Sequence, residues 1–143
     1  MMKTTFARLL AAGAFALAFP LATTPSANAA EGKPLLELME SFDTAYKGFR
    51  RETDPEKALP LVRESQAAVW QAITTLPPMV EKMPDNPARA KAAATYRMMM
   101  AEVYLMLAQL ELAFIERDMD AVADHVGAIR AARRTGHDQF MEE

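Results

Sequence analysis

DAVADHVGAIRAARRTGHDQFM, residues 120–141, is the stretch from which the rest of the chain is read. Wound as an α-helix it puts Val122, Val126, Ile129, Arg133, Gly136, His137 and Phe140 on or near one face, in steps of three or four. His137 lies eleven residues after Val126, which at about 100° per residue leaves the two only about 20° apart in projection. An imidazole is therefore expected where the core should be, close to the chain end. The earlier segments are read as building a partner for it.

The chain has 143 residues, the length of one domain. Residues 1–29 read as a secretory signal peptide. Lys3 and Arg8 open it without an acid, Leu9 to Phe19 is an apolar run of eleven, and Ala27-Asn28-Ala29 is a small-x-small cleavage pattern. Eleven apolar residues are too few for a bilayer anchor, so the expectation is export to the periplasm with cleavage near Ala29. The leader takes two of the 16 bases and none of the 19 acids, leaving 14 − 19 = −5 for residues 30–143. That balance argues against nucleic acid as a partner. No second apolar stretch reads as a membrane span. With no cysteine, disulfides, thiolate metal sites and covalent haem attachment are excluded.

Past the leader, Pro34 suits a first helical position. Leu35, Leu38, Met39, Phe42, Ala45, Tyr46 and Phe49 then form a helical stripe ending at Arg50-Arg51. Asp54-Pro55 opens a second helix as N-cap and first residue, with Leu59, Val62, Val69, Trp70 and Ile73 as its expected buried face. Pro60 implies a kink or a later start. Pro77 to Pro87 holds four prolines and is read as an ordered loop. Asn86-Pro87 starts a long third helix to about Ile115, its inner face expected at Ala94, Met98, Ala101, Tyr104 or Leu105, Ala108, Leu112 and Ile115. Glu116 to Met119 is a charged link, and Asp120 caps the fourth helix. No stretch alternates as a strand does. No phosphate loop, His-Glu-x-x-His helix or nucleophile elbow points to an enzyme. The fold class is all-α, an antiparallel up-down-up-down four-helix bundle over residues 30–143.

In such a bundle the start of the first helix and the end of the fourth share one end. Met39 and His137 then fall within about a turn of one layer, at about 1.5 Å rise per residue. A thioether and an imidazole facing each other can supply both axial ligands of a haem iron. Each also has an ordinary reading, Met39 as core filler and His137 as a hydrogen-bonded or frayed residue. Spacing alone leaves both readings open. His125, about 18 Å along the axis from His137 and roughly 120° round the helix, reads as a solvated or rim residue. Arg130 and Arg134 read as solvated bases at a helix C-terminus.

The segment Leu38-Met39-Glu40, the loop from Pro77-Pro78 to Pro84-Asp85-Asn86-Pro87, the spacing of the last helix and the ending Arg133-Arg134-Thr135-Gly136-His137-Asp138-Gln139 resemble the cytochrome b562 family of small periplasmic b-type cytochromes. The resemblance covers nearly all of residues 30–143. It implies Met39 and His137 as iron ligands, one non-covalent haem b per chain, and Arg133 near a propionate. Phe42 and Phe140, one turn or less from the two ligands, are the aromatic candidates for the pocket wall. Pro60 and the start of the third helix depart from the family, where Tyr96 and Met98-Met99-Met100 stand instead.

The function expected first is a periplasmic electron carrier, not an enzyme, serving unknown redox partners. The second is a Met-rich copper-binding protein, since thioethers suit Cu(I) and residues 30–143 carry Met39, Met79, Met83, Met98, Met99, Met100, Met106, Met119 and Met141. Consecutive methionines on a helix point about 100° apart, which disfavours convergence on one ion. The third is a cofactor-free bundle that acts as a binding partner.

Overall fold

A computed structural model describes residues 32–141. The expected leader and its cleavage site lie outside them. Among the described residues the regular structure is all helix, in the order α1 (Leu35–Phe49), α2 (Pro55–Ala72), α3 (Pro78–Glu81), α4 (Pro87–Glu116) and α5 (Met119–Phe140).

Two helix starts follow the cap-then-proline signal. Asp54 accepts from the Glu56 N–H and Asn86 from the Arg89 N–H, with Pro55 and Pro87 first in their helices. There a missing N–H costs nothing. Proline alone was a poor breaker elsewhere. Pro60 is carried within α2 on its exposed side, so the helix begins at Pro55 after all. The proline loop contains the single turn α3, because Pro78 also occupies a first helical position.

The link before α5 is shorter than expected. Asp118, not Asp120, is the cap and accepts from the Ala121 N–H at 3.0 Å. The chain turns at Arg117, φ 60°. Its N–H reaches the Phe114 carbonyl at 3.2 Å, and the Asp118 N–H reaches Ala113 at 3.0 Å. This is the paired helix-end closure that usually recruits glycine.

Cross-helix contacts give the directions. Along α1 and α2, Ser41 donates to Glu64 at 3.4 Å, and farther along α1 a Cβ on Gly48 would come within 2.7 Å of Leu61 Cδ1. The numbering rises on one helix and falls on the other. Between α2 and α4, Glu111 takes Arg63 Nε at 2.7 Å and Gln66 Nε2 at 2.8 Å. The Trp70 ring stands 5.7 Å from Tyr104, and the Tyr96 hydroxyl donates to the Ala72 carbonyl at 3.0 Å. Between α4 and α5, Tyr96 meets Phe140 edge-on at 5.4 Å, and Met99 Cε lies 4.0 Å from where a Gly136 Cβ would stand. Each pair is antiparallel. Backbones approach closely at α1–α2, α2–α4 and α4–α5, and α1 meets α5 through side chains.

The core joins Phe42, Tyr46 and Phe49 of α1 to Val62 and Val69 of α2, Leu107, Leu110 and Phe114 of α4, and Val122 and Ile129 of α5. Two expected faces are corrected. Trp70 is 64% exposed, and α4 buries Ala93, Tyr96, Val103, Leu107, Leu110, Ala113 and Phe114 while Met98, Leu105, Leu112 and Ile115 are each over half exposed. α4 carries large apolar side chains on more than one face, so its period could not choose a side. Over an 18-residue window α4 has a mean hydropathy of 1.5, long and apolar enough to cross a membrane by length and composition.

Two substitutions test this packing by chemical denaturation. Leu110→Ala should cost about 2–5 kcal/mol, whereas Leu112→Ala should stay within about 0.5 kcal/mol; equal effects would mean the faces are assigned wrongly. Arg117→Gly should stabilise the protein by about 0.5–1 kcal/mol, because glycine carries no side-chain penalty at positive φ.

Candidate functional site

α1 and α5 are joined by one charged contact. Arg133 is a half-buried residue of α5 whose Nη2 donates to Asp43 Oδ1. Its guanidinium carbon lies 4.7 Å from the Tyr46 ring centre and 5.8 Å from that of Phe42. Lys47 takes the other Asp43 oxygen at 2.5 Å. The Lys47 hydrogen bond, reinforced by the positive charges of Arg133, Lys47 and His137 and opposed by desolvation, holds the Asp43 carboxyl below its ordinary range. The cation over two rings is worth about 0.5–2 kcal/mol beyond the ion pair.

That contact sets the register. α1 and α5 run in opposite directions, so one turn back from Asp43 and one turn on from Arg133 arrive at the same level. The residues there are Met39 and His137, about 6 Å beyond the ion pair.

The two side chains differ in burial. Met39 is half-buried and His137 is exposed. The expectation of a core-facing imidazole is corrected on that point. Val122 and Ile129 are the fully buried residues of α5. Beyond Ile129 a half-buried stripe continues through Ala132, Arg133, Gly136 and Phe140. Gly136 takes the inward position of the last turns, against Met99. His137, one residue further round, stands on the rim of an open groove with Arg130, Arg133, Arg134 and Asp138.

Of the aromatic candidates, Phe42 is buried in the core beneath Arg133. Phe140 is half-buried against Tyr96, and with Pro78, Met79 and Met141 it lines a second shallow hollow. Burial pushes the Tyr96 hydroxyl up to about 12, so Tyr96 stays protonated as a donor to Ala72. His125 is half-buried, far along α5. The three consecutive methionines diverge as helix geometry requires: Met98 is exposed, Met99 meets α5 at Gly136, and Met100 packs on the core. Among the described residues no three His, Asp or Glu side chains gather as a metal-binding set.

Asp43 was not among the residues singled out from sequence. Its signal was present, four residues after Met39 and four before Lys47. Nothing local distinguishes it from a solvated acid until Arg133 is brought across from 90 residues away.

No family model matches the chain, and no characterised protein is similar enough to count as a relative.

The Asp43 cluster predicts a pH signature. A carboxyl whose pKa is lower in the folded protein adds stability that is present above its unfolded value and is lost as pH falls through the folded one. The wild-type advantage in melting temperature over Asp43→Asn should therefore be full near neutral pH and vanish in acid, below the ordinary carboxylate range. Solvent screening keeps it to on the order of 1 kcal/mol. An advantage independent of pH would show that the carboxylate charge is not what joins α1 to α5.

Proposed function

We propose that this protein is a periplasmic electron carrier that binds one non-covalent haem b between Met39 of α1 and His137 of α5. The observation that carries the reading is the shared level of those residues, set by the Arg133–Asp43 contact one turn away. Three antiparallel pairings, with α1 and α5 joined through side chains, are what an up-down-up-down four-helix bundle requires, and the proposal includes that arrangement. The resemblance to the cytochrome b562 family points the same way.

The residues fit the group in donor chemistry. A thioether and an imidazole are together suited to iron that cycles between two oxidation states. α5 has no fully buried side chain after Ile129, so an apolar ligand at that end displaces little packed core. His137 must turn inward from the groove rim past Gly136, where only Met99 stands close. Arg133, Arg130 and Arg134 carry charge at that rim suited to carboxylate side groups.

Bound haem would supply a one-electron couple. Met39 and His137 would hold the iron, so that it would exchange an electron rather than take up a substrate. The thioether would raise the potential relative to a second imidazole. Phe42, Tyr46 and Phe140 would exclude water on the core side.

Absorption spectroscopy tests the assignment. Protein from a haem-replete periplasm should show a low-spin spectrum with split bands on reduction. His137→Ala should lose at least about tenfold in haem affinity, and Met39→Ala should leave a weaker, five-coordinate site. A low-spin spectrum unchanged in both variants, or no haem taken up, would overturn the reading.

A further inference from the structure

The outward face of α4 carries a second pattern unused by the haem reading. Met98, Ala101, Leu105, Ala108, Leu112 and Ile115 alternate in steps of three and four over five turns, the spacing of a coiled-coil seam. Its four large members are 54–57% exposed. On its margin the Trp70 ring, 64% exposed, packs against Tyr104.

We propose that this seam docks a second copy of the chain, α4 against α4, in an antiparallel two-fold dimer. The alternation of large and small residues selects both the occupant and the direction. With the axis between Met106 and Leu107, Leu105 of each copy enters the hollow over Ala108 of the other, and Leu112 enters that over Ala101. Met98 and Ile115 meet at the ends, where helices crossing at about 20° diverge. A parallel pairing would instead stack leucine on leucine and alanine on alanine, layers of unequal width.

Charge agrees with steric fit. Antiparallel pairing opposes the helix dipoles and keeps Glu111 and Glu116, which lie on opposite flanks of the seam, apart. Parallel pairing would set Glu111 beside Glu116. The seam is also too narrow for a bilayer surface. Arg97 and Glu102 border its first half and Gln109 and Glu116 its second, all exposed. Its six seam positions are far fewer than the roughly 20–30 residues a side of a standard stable interface, so the dimer is expected in the micromolar range.

Sedimentation velocity on protein recovered from the periplasm of an expressing host, from about 1 µM to about 1 mM, tests the proposal. A monomer–dimer equilibrium is expected. Leu105→Glu and Leu112→Glu should weaken it at least about tenfold with circular dichroism and melting unchanged. Ala108→Leu is the sharper variant: it fills the hollow and should also weaken association, whereas unspecific stickiness would grow. The chain has no cysteine, so orientation can be read by oxidation. Met98→Cys alone should give no covalent dimer, and mixed with Ile115→Cys it should give one. A monomer at every concentration, a stronger Ala108→Leu dimer, a covalent Met98→Cys dimer, or Leu105-dependent binding to phosphatidylglycerol vesicles in place of self-association would each overturn it.

Discussion

The site rests on the contact of Arg133 with Asp43. It is the charged link between the first and last long helices, and it is set over two core aromatic rings. A guanidinium half removed from water needs both a counter-ion and a surface to lie on. Asp43 supplies the first, and Tyr46 and Phe42 supply the second. The register it imposes brings a sulfur near one end of the chain level with an imidazole near the other.

Around that contact the packing is uneven in a way that suits the proposed role. Ile129 closes the fully buried part of α5, and its last turns touch their neighbours through a glycine, an alanine, an arginine and a phenylalanine. The opposite half of the molecule is tied by denser interactions, the Glu111 clamp on Arg63 and Gln66 among them. Fewer buried apolar contacts mean a lower local opening free energy. A ligand-binding end is expected at that lower extreme.

Much of the helical pattern was legible in the sequence. Cap-then-proline pairs at 54–55 and 86–87 gave correct starts, because the signal is a specific hydrogen bond plus a dispensable N–H. The α1 stripe was also legible, since Leu38, Phe42, Ala45, Tyr46 and Phe49 are all buried. Where the sequence misled, the reason is physical. α4 carries leucines on more than one face, so only its neighbours decide that Leu107 and Leu110 go in while Leu105 and Leu112 stay out. Arg117 takes a conformation that usually announces itself as glycine. His137 follows the period of α5, but Gly136 beside it occupies the inner position. Met39 and His137 could be named from sequence as a candidate pair, but the contacts around them could not: Asp43 acquires its meaning only from a residue on the far helix.

The ligand pair is tested most directly by proton NMR of the haem-supplied, reduced protein. A methionine methyl held against the face of a porphyrin lies in its ring current and is shifted far upfield of every other methyl. One such resonance, lost in Met39→Ala and accompanied by a coordinated imidazole assigned to His137, is the predicted result. A reduced spectrum with haem bound but no upfield methyl from Met39 would contradict the proposed ligation.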